Sequence, residues 1–320
     1  MLKEIERYAK LVNEVLEKEL PEKKPAELWR YVREYPLRGG KRLRPALVML
    51  SAEMFGKKAG EVVEAAAAVE MLHNFTLIHD DIEDHSLLRR GKPALHRIAG
   101  VELAINAGDA LMAKAFELMA RGAGELASEV IEKFGRVLVE LAEGQAMDIS
   151  WTLKGEVPEE NDFLEMTEKK TGALIGFSLW LGAKLAGEEK SLKTLEKVGR
   201  AMGIAFQLRD DVLDVRGGKE FGKELGRDIA EGKRTLLLIR AVKTLGYGEK
   251  LELLGKVGSK SRGDVNRAIE LIEKSGAVEY VQRRAEEFAR KARELAETLP
   301  QCKQREILLQ LIEFAVKRDK

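Results

Sequence analysis

Apolar residues recur at helical spacing along almost the whole chain, and only 7 prolines interrupt its 320 residues. A strand needs two-residue alternation, which is scarce here, so this pattern restricts the chain to helices. The periodicity predicts helices over 2–20, 24–35, 44–55, 59–78, 99–121, 128–150, 161–185, 190–215, 235–245, 264–274, 277–299 and 305–318. The stretches 59–78 and 201–208 are apolar nearly all round, which places them at the centre of a bundle. No repeat of fixed length is visible, which argues against a solenoid. No break in composition resembles a linker. The expectation is an all-α protein of more than ten helices, folded as a single domain over 1–320.

Lys and Arg number 55 against 54 Asp and Glu, leaving a net charge of +1. A nucleic-acid binder with a broad basic footprint is therefore disfavoured. Charged residues make up 34% of the chain and are rich in Glu, Lys and Arg, a thermophile-like composition. The single cysteine, Cys302, rules out a disulfide framework and a cysteine zinc site, and fits a reducing cytoplasm. The first twenty residues are charged and amphipathic, without the apolar core of a secretory signal. The uncharged run 171–183 is shorter than the roughly 20 residues of a spanning helix. A soluble, cytoplasmic protein with no membrane span is expected.

Two acidic clusters follow buried helices. The helix ending near residue 78 runs into His79-Asp80-Asp81-Ile82-Glu83-Asp84, and the stretch 201–208 runs into Arg209-Asp210-Asp211-Val212-Leu213-Asp214. Residues four apart share a helix face, so Asp80 points with Asp84 and Asp210 with Asp214. Like charges so placed, at a helix C-terminus that already disfavours anions, call for a counterion. A hard divalent cation suits them, above all Mg²⁺, which takes one or two carboxylates and completes its shell with water and phosphate. One such run is as readily a solvated helix face; the same spacing twice, each time after a hydrophobic helix, is not.

A metal–phosphate site also needs cations. Arg38-Gly39-Gly40-Lys41-Arg42-Leu43-Arg44-Pro45 offers glycines for close backbone approach and basic residues at a helix start. Arg89-Arg90-Gly91-Lys92-Pro93 follows the first acidic cluster, and Lys169-Lys170-Thr171-Gly172 opens an apolar run. Phe221-Gly222-Lys223 and Gly232-Lys233-Arg234-Thr235 follow the second cluster. The stretch 217–223 reads G-x-x-x-x-G-K, but Glu224 comes next and no strand precedes it, so it is not a P-loop. Of His73, His79, His85 and His96, none has the spacing of a transition-metal pair; His73 is a candidate phosphate donor and the others read as structural.

Together, the two D-D-x-x-D clusters, G-G-K-R-x-R-P and R-R-G-x-P resemble the trans-prenyltransferases, the isoprenyl diphosphate synthases, over 39–235. The resemblance implies an isoprenoid-synthase-type bundle around a deep central cavity, usually a homodimer. It implies head-to-tail joining of isopentenyl diphosphate to an allylic diphosphate (dimethylallyl, geranyl or farnesyl) with Mg²⁺, typically three ions per site. By position, Asp80, Asp81, Asp84, Asp210 and Asp214 are similar to the family's metal carboxylates, with Asp211 and Asp228 supporting. Arg89, Lys170, Lys223 and Lys233 match its ligands for the allylic diphosphate, and Lys41, Arg44, His73 and Arg90 those of the isopentenyl site. Thr171 and Gln207 match polar groups beside the reacting carbons. Metals and cations would neutralise the leaving diphosphate, apolar walls would keep water from the allylic cation, and the released diphosphate would take the proton.

Three departures accompany the resemblance. The first cluster lacks the two extra residues of one bacterial farnesyl-type subgroup; Glu83 is an additional carboxylate; and Lys223 stands one residue further from Asp228 than in some relatives. One helical turn is about 5.4 Å, so Thr76 and Phe75 lie one turn before Asp80, where a growing tail first meets the wall. A single Phe with a small neighbour resembles the archaeal geranylgeranyl type and implies a C20 product, with C15 or a mixture as the alternative. A terpene cyclase is disfavoured by the all-aspartate second cluster. A non-catalytic subunit would have lost ligands, and a metal-binding structural bundle leaves the basic set without a purpose.

Overall fold

The computed structural model describes residues 1–217 and 225–317. It is 80% helical, and the chain is all-α as the periodicity predicts. Among the described residues no helix is long and apolar enough to cross a membrane. The chain divides into two compact units. The first comprises Met1–Val137, Phe177–Glu196 and Pro300–Ile307; the second comprises Leu138–Gly176, Lys197–Leu299 and Leu308–Lys320.

At the heart of the first unit is the helix Val63–Glu83, packed against Leu43–Met54 and Val101–Ala123. Its Ala65, Ala66, Ala67, Ala68 and Val69 are fully buried, and four alanines in succession let neighbours approach on every side. Glu70, buried in this helix, is neutralised by buried Arg42, whose guanidinium also donates to Asn13. Arg42 has a left-handed backbone (φ 49) at the start of Leu43–Met54, and its side chain is buried.

Periodicity ended this central helix near residue 78. The hydrogen-bond ladder instead continues to Glu83, with the Asp84 amide donating to the Asp80 carbonyl at 2.8 Å, so the first acidic cluster is itself helical. Beyond it, Leu88–Arg89 and Lys92–Pro93 form a two-residue antiparallel ladder. Arg90 and Gly91 (φ 53 and 74) make the turn, both in the left-handed region that a two-residue hairpin favours. The helix expected over 99–121 is interrupted at Gly100 (φ 84) into Leu95–Ala99 and Val101–Ala123.

Within the second unit, the helix expected over 161–185 is interrupted by a π turn, Glu168–Gly172, between Glu160–Thr167 and Ala173–Leu185. The helix Leu192–Arg216 carries the second acidic cluster, and a short helix, Arg227–Glu231, starts at Gly226. Tyr247–Lys256, absent from the sequence expectation, precedes the amphipathic helices Arg262–Lys274 and Ala277–Glu297. The latter turns a stripe of Ala285, Ala292 and Ala296 inward.

Candidate active site

The C-terminal turn of Val63–Glu83 presents Asp80 and Asp84, half-buried and one turn apart, on one face. Asp81 points elsewhere. Its carboxylate is fully buried, accepts from the Tyr35 hydroxyl at 2.6 Å and from Arg89 Nε at 3.0 Å on both oxygens, and is closed by a second Arg89 nitrogen. The same Arg89 nitrogen lies 3.4 Å from Asp80 Oδ2. Tyr35 in turn accepts from the Leu95 amide at 2.9 Å. Burial, together with the bond to Asp81, pushes its phenol well above the usual range. Asp81, which the sequence groups with the metal carboxylates, is here also paired with Arg89.

Several basic residues of the first unit meet around the start of Leu43–Met54. Arg44 donates to His73 Nε2 at 3.1 Å. An arginine can only donate, so Nε2 accepts and Nδ1 carries the proton. Burial and the nearby charges of Arg44, Arg90, Arg89 and Arg42 push His73 well below its ordinary range, so the ring is neutral. Arg44 itself is drawn down to about 10, chiefly by burial, and its Nε is buried without a partner. Arg90 is held by the Gly39 and Tyr35 carbonyls. Gly40 has φ 141, a backbone that favours glycine, and a Cβ there would stand 3.0 Å from the Arg90 guanidinium carbon. Lys41 is exposed in the same loop. Arg42, in the same run, is paired with Glu70.

One turn before Asp80, Phe75 and Thr76 are both half-buried. The Phe75 ring lies against His79, with centroids 4.6 Å apart. Thr76 donates its hydroxyl back to the His73 carbonyl at 2.8 Å, so it adds no unsatisfied polar group to that wall.

The second unit assembles the remaining set. Thr171, in the π turn, donates to Gln207 Oε1 at 3.4 Å, and Gln207 donates to Asp211 Oδ1 at 3.0 Å. The other Asp211 oxygen is buried without a partner. Burial, then Asp228, Asp210 and Asp214, raise the Asp211 carboxyl well above its ordinary range. Asp214 accepts from the Arg227 and Asp228 amides, both at 3.1 Å, and so caps the helix Arg227–Glu231. It is nonetheless pushed up to about 7, by burial first and Asp228 second. Asp228 is raised by burial, against the opposing charge of Lys233. Lys233 is half-buried, 3.5 Å from Glu231. Asp210 is half-buried; Lys223 lies outside the described residues. Lys170 pairs with Asp148 at 2.8 Å. Sequence reasoning missed Asp148 because it is a lone carboxylate on an amphipathic helix, and missed Tyr35 because its hydroxyl matters only through Asp81.

Among the described residues, no group of three or more His, Cys, Asp or Glu side chains could hold a metal ion. The donor set is instead pairs of carboxylates beside phosphate-type cations, which suits an ion that takes much of its shell from water and phosphate. The unpartnered Asp211 oxygen and the raised Asp214 mark negative charge that a divalent cation would relieve. The residues fit magnesium.

The polyprenyl synthetase family profile matches residues 26–272. The chain is 42% identical over 318 residues to the geranylgeranyl pyrophosphate synthase of Geoglobus acetivorans, covering 98% of each. Among solved structures, the geranylgeranyl pyrophosphate synthetase of Pyrococcus horikoshii superposes with a TM-score of 0.93 at 38% identity, covering 99% of this chain and 98% of the other. The geranylgeranyl pyrophosphate synthase of Corynebacterium glutamicum, complexed with isoprenyl diphosphate and magnesium, gives 0.90 at 28% identity, covering 98% and 99%. With its acidic helices, its basic partners and these likenesses, the chain belongs to the polyprenyl synthetase family and is a trans-prenyltransferase.

Proposed function

We propose that the chain condenses isopentenyl diphosphate with allylic diphosphates (dimethylallyl, geranyl, farnesyl) and releases geranylgeranyl diphosphate, C20, acting as a homodimer of single-domain chains. The observation that carries this reading is the recurrence of one carboxylate pattern on two helices, each with phosphate-type cations in its own unit. Lone Phe75 beside small Thr76 supports the C20 stop.

In this reading Asp80, Asp84, Asp210 and Asp214 hold magnesium, three ions per site, with Asp211 and Asp228 supporting. When bound, magnesium draws charge from the departing diphosphate. Arg89, Lys170, Lys223 and Lys233 bind that same diphosphate, and Asp81 holds Arg89 in place. Lys41, Arg44, Arg90 and the Nδ1–H of neutral His73 bind the diphosphate of the second substrate. The Thr171 and Gln207 oxygens lie beside the carbon that becomes positive, where an electron-rich group stabilises it. Apolar helix walls exclude water, which would otherwise quench the cation. The π-bond of isopentenyl diphosphate attacks the allylic carbon, and the released diphosphate takes the proton that restores a double bond.

Product analysis tests this. The purified chain with Mg²⁺, isopentenyl diphosphate and a dimethylallyl or farnesyl primer should yield, after dephosphorylation, a C20 alcohol. A C15 stop would keep the reaction and move the floor away from Phe75; no product with any primer would overturn the proposal.

A further inference from the structure

Two residues that no motif marks, Gly144 and Asp148, lie four apart and so on one face of the helix Ala127–Lys154. Both meet the same neighbour. A Cβ at Gly144 would stand 2.6 Å from the Lys170 backbone nitrogen, closer than real side chains come, and a tight 3.0 Å from the Met166 carbonyl oxygen. One turn on, Asp148 Oδ2 accepts from Lys170 Nζ at 2.8 Å. Asp148 is 9% exposed, so its carboxylate is largely withdrawn from water, and its bond to the partly exposed ammonium is charge-assisted.

Lys170 needs such holding for a physical reason. It sits in the π turn Glu168–Gly172, which adds a residue to the helical turn and rotates the succeeding helix Ala173–Leu185 by about 100° relative to a regular continuation. Its side chain is a flexible stem with a compact charge, unlike the rigid fork of an arginine. Arg89 in the first unit is fixed by its own planar geometry on Asp81; a lysine has to be fixed from outside. An ammonium has three donor directions, and seating one on Asp148 sets the other two.

We infer that Gly144 and Asp148 are positioning residues that clamp Lys170, the glycine at its backbone and the carboxylate at its ammonium, so that it meets the allylic diphosphate in one orientation. This rests on the proposed role of Lys170 as a ligand for that diphosphate. Neither residue touches substrate in this reading; both act through Lys170.

A double-mutant cycle in the full-length enzyme, read as KM for each substrate, tests the clamp. Asp148→Ala should raise KM for the allylic diphosphate about tenfold and leave KM for isopentenyl diphosphate within about twofold. Asp148→Asn, which keeps an oxygen acceptor but loses the charge, should fall between Asp148→Ala and the unaltered enzyme. In a Lys170→Ala background, Asp148→Ala should add less than about twofold. Gly144→Ala should reproduce the allylic effect with the melting temperature lowered, since the two backbones must part. An equal rise in both KM values, or an Asp148→Ala effect undiminished by Lys170→Ala, would overturn the inference while leaving prenyl transfer intact. If Lys170→Ala left the allylic KM unchanged, the clamp would fall together with the role of Lys170, and C20 synthesis would still stand as a separate result.

Discussion

The two D-D-x-x-D helices carry one pattern into opposite electrostatic surroundings. At the end of Val63–Glu83, the middle aspartate is saturated: Asp81 has Tyr35 on one side and Arg89 across both oxygens. In Leu192–Arg216, the corresponding Asp211 has Gln207 on one oxygen and, among the described residues, no hydrogen-bond partner on the other, near Asp210, Asp214 and Asp228. The first cluster brings its neutralising cation from the hairpin after it; among the described residues, the hydrogen-bond donor to the second cluster's middle carboxylate is the neutral Gln207. Identical spacing therefore assigns different work. The first cluster should fold indifferently to metal, and the second should be where metal binding shows in stability.

The largest expected effects fall on the outward carboxylates, where the two helices should behave alike. Asp80→Ala and Asp210→Ala should each lower kcat by on the order of a thousandfold, with circular dichroism unchanged. Asp81→Ala breaks the symmetry. It leaves Arg89, whose side chain is 20% exposed, with only the longer contact to Asp80 among its carboxylates and the Tyr35 hydroxyl without its acceptor, and should cost about 3 kcal/mol in urea denaturation, whereas Asp211→Asn removes repulsion and should leave stability level or higher. If Asp211→Asn destabilised as much as Asp81→Ala, the contrast would be wrong.

Next in size is a pH effect confined to the second helix. The Asp214 carboxyl rises from 3.8 to about 7 in the folded chain, and Asp211 and Asp228 rise with it. Between those values the folded state holds more protons than the unfolded state, so metal-free stability should fall as pH climbs from about 4 to 7. Melting curves across that range should show the fall, Asp214→Asn should flatten it, and magnesium with inorganic diphosphate should restore the loss near pH 7. A slope of melting temperature against pH that Asp214→Asn left unchanged would refute the assignment.

Most of the fold was legible because helical periodicity survives in single-sequence form: Val63–Glu83 and Leu192–Arg216 are the buried helices that 59–78 and 190–215 predicted. The features that escaped are those set by neighbours. The π turn at Glu168–Gly172 has no period of its own, and its seat depends on Gly144 far upstream. The hairpin at Leu88–Arg89 is too short for alternation to register. At the site, residue types and spacing named the carboxylates and cations, but not their division of labour. Asp81 became an anchor through a tyrosine 46 positions away, and Asp148 paired with a lysine 22 positions on.

Product length should depend on the first helix alone. Phe75 stands one turn before Asp80 with its ring on His79, so Phe75→Ala removes the floor without disturbing the carboxylates. Alcohols longer than C20 should appear with kcat changed by less than about tenfold. A changed chain length after substitution in Leu192–Arg216, with Phe75 intact, would show that both helices line the tail.

The smallest expected effect belongs to His73. Burial first, and then four nearby arginines, hold it neutral, with Nε2 accepting from Arg44 and Nδ1 carrying the proton. Glutamine offers a donor and an acceptor without charge, so His73→Gln should change KM for isopentenyl diphosphate by less than about threefold, whereas His73→Leu should raise it about tenfold. The pH dependence has the opposite sign to that of Asp214. Below the ordinary 6.5 of a histidine the unfolded chain takes up a proton that the folded one refuses, so His73 withdraws stability as pH falls, and His73→Gln should lessen the loss of melting temperature between pH 6.5 and about 5. A variant whose acid sensitivity matched that of the unaltered chain would mean that His73 charges in place, and that the arginines around the first acidic helix are not the neutralising field they form in the structure.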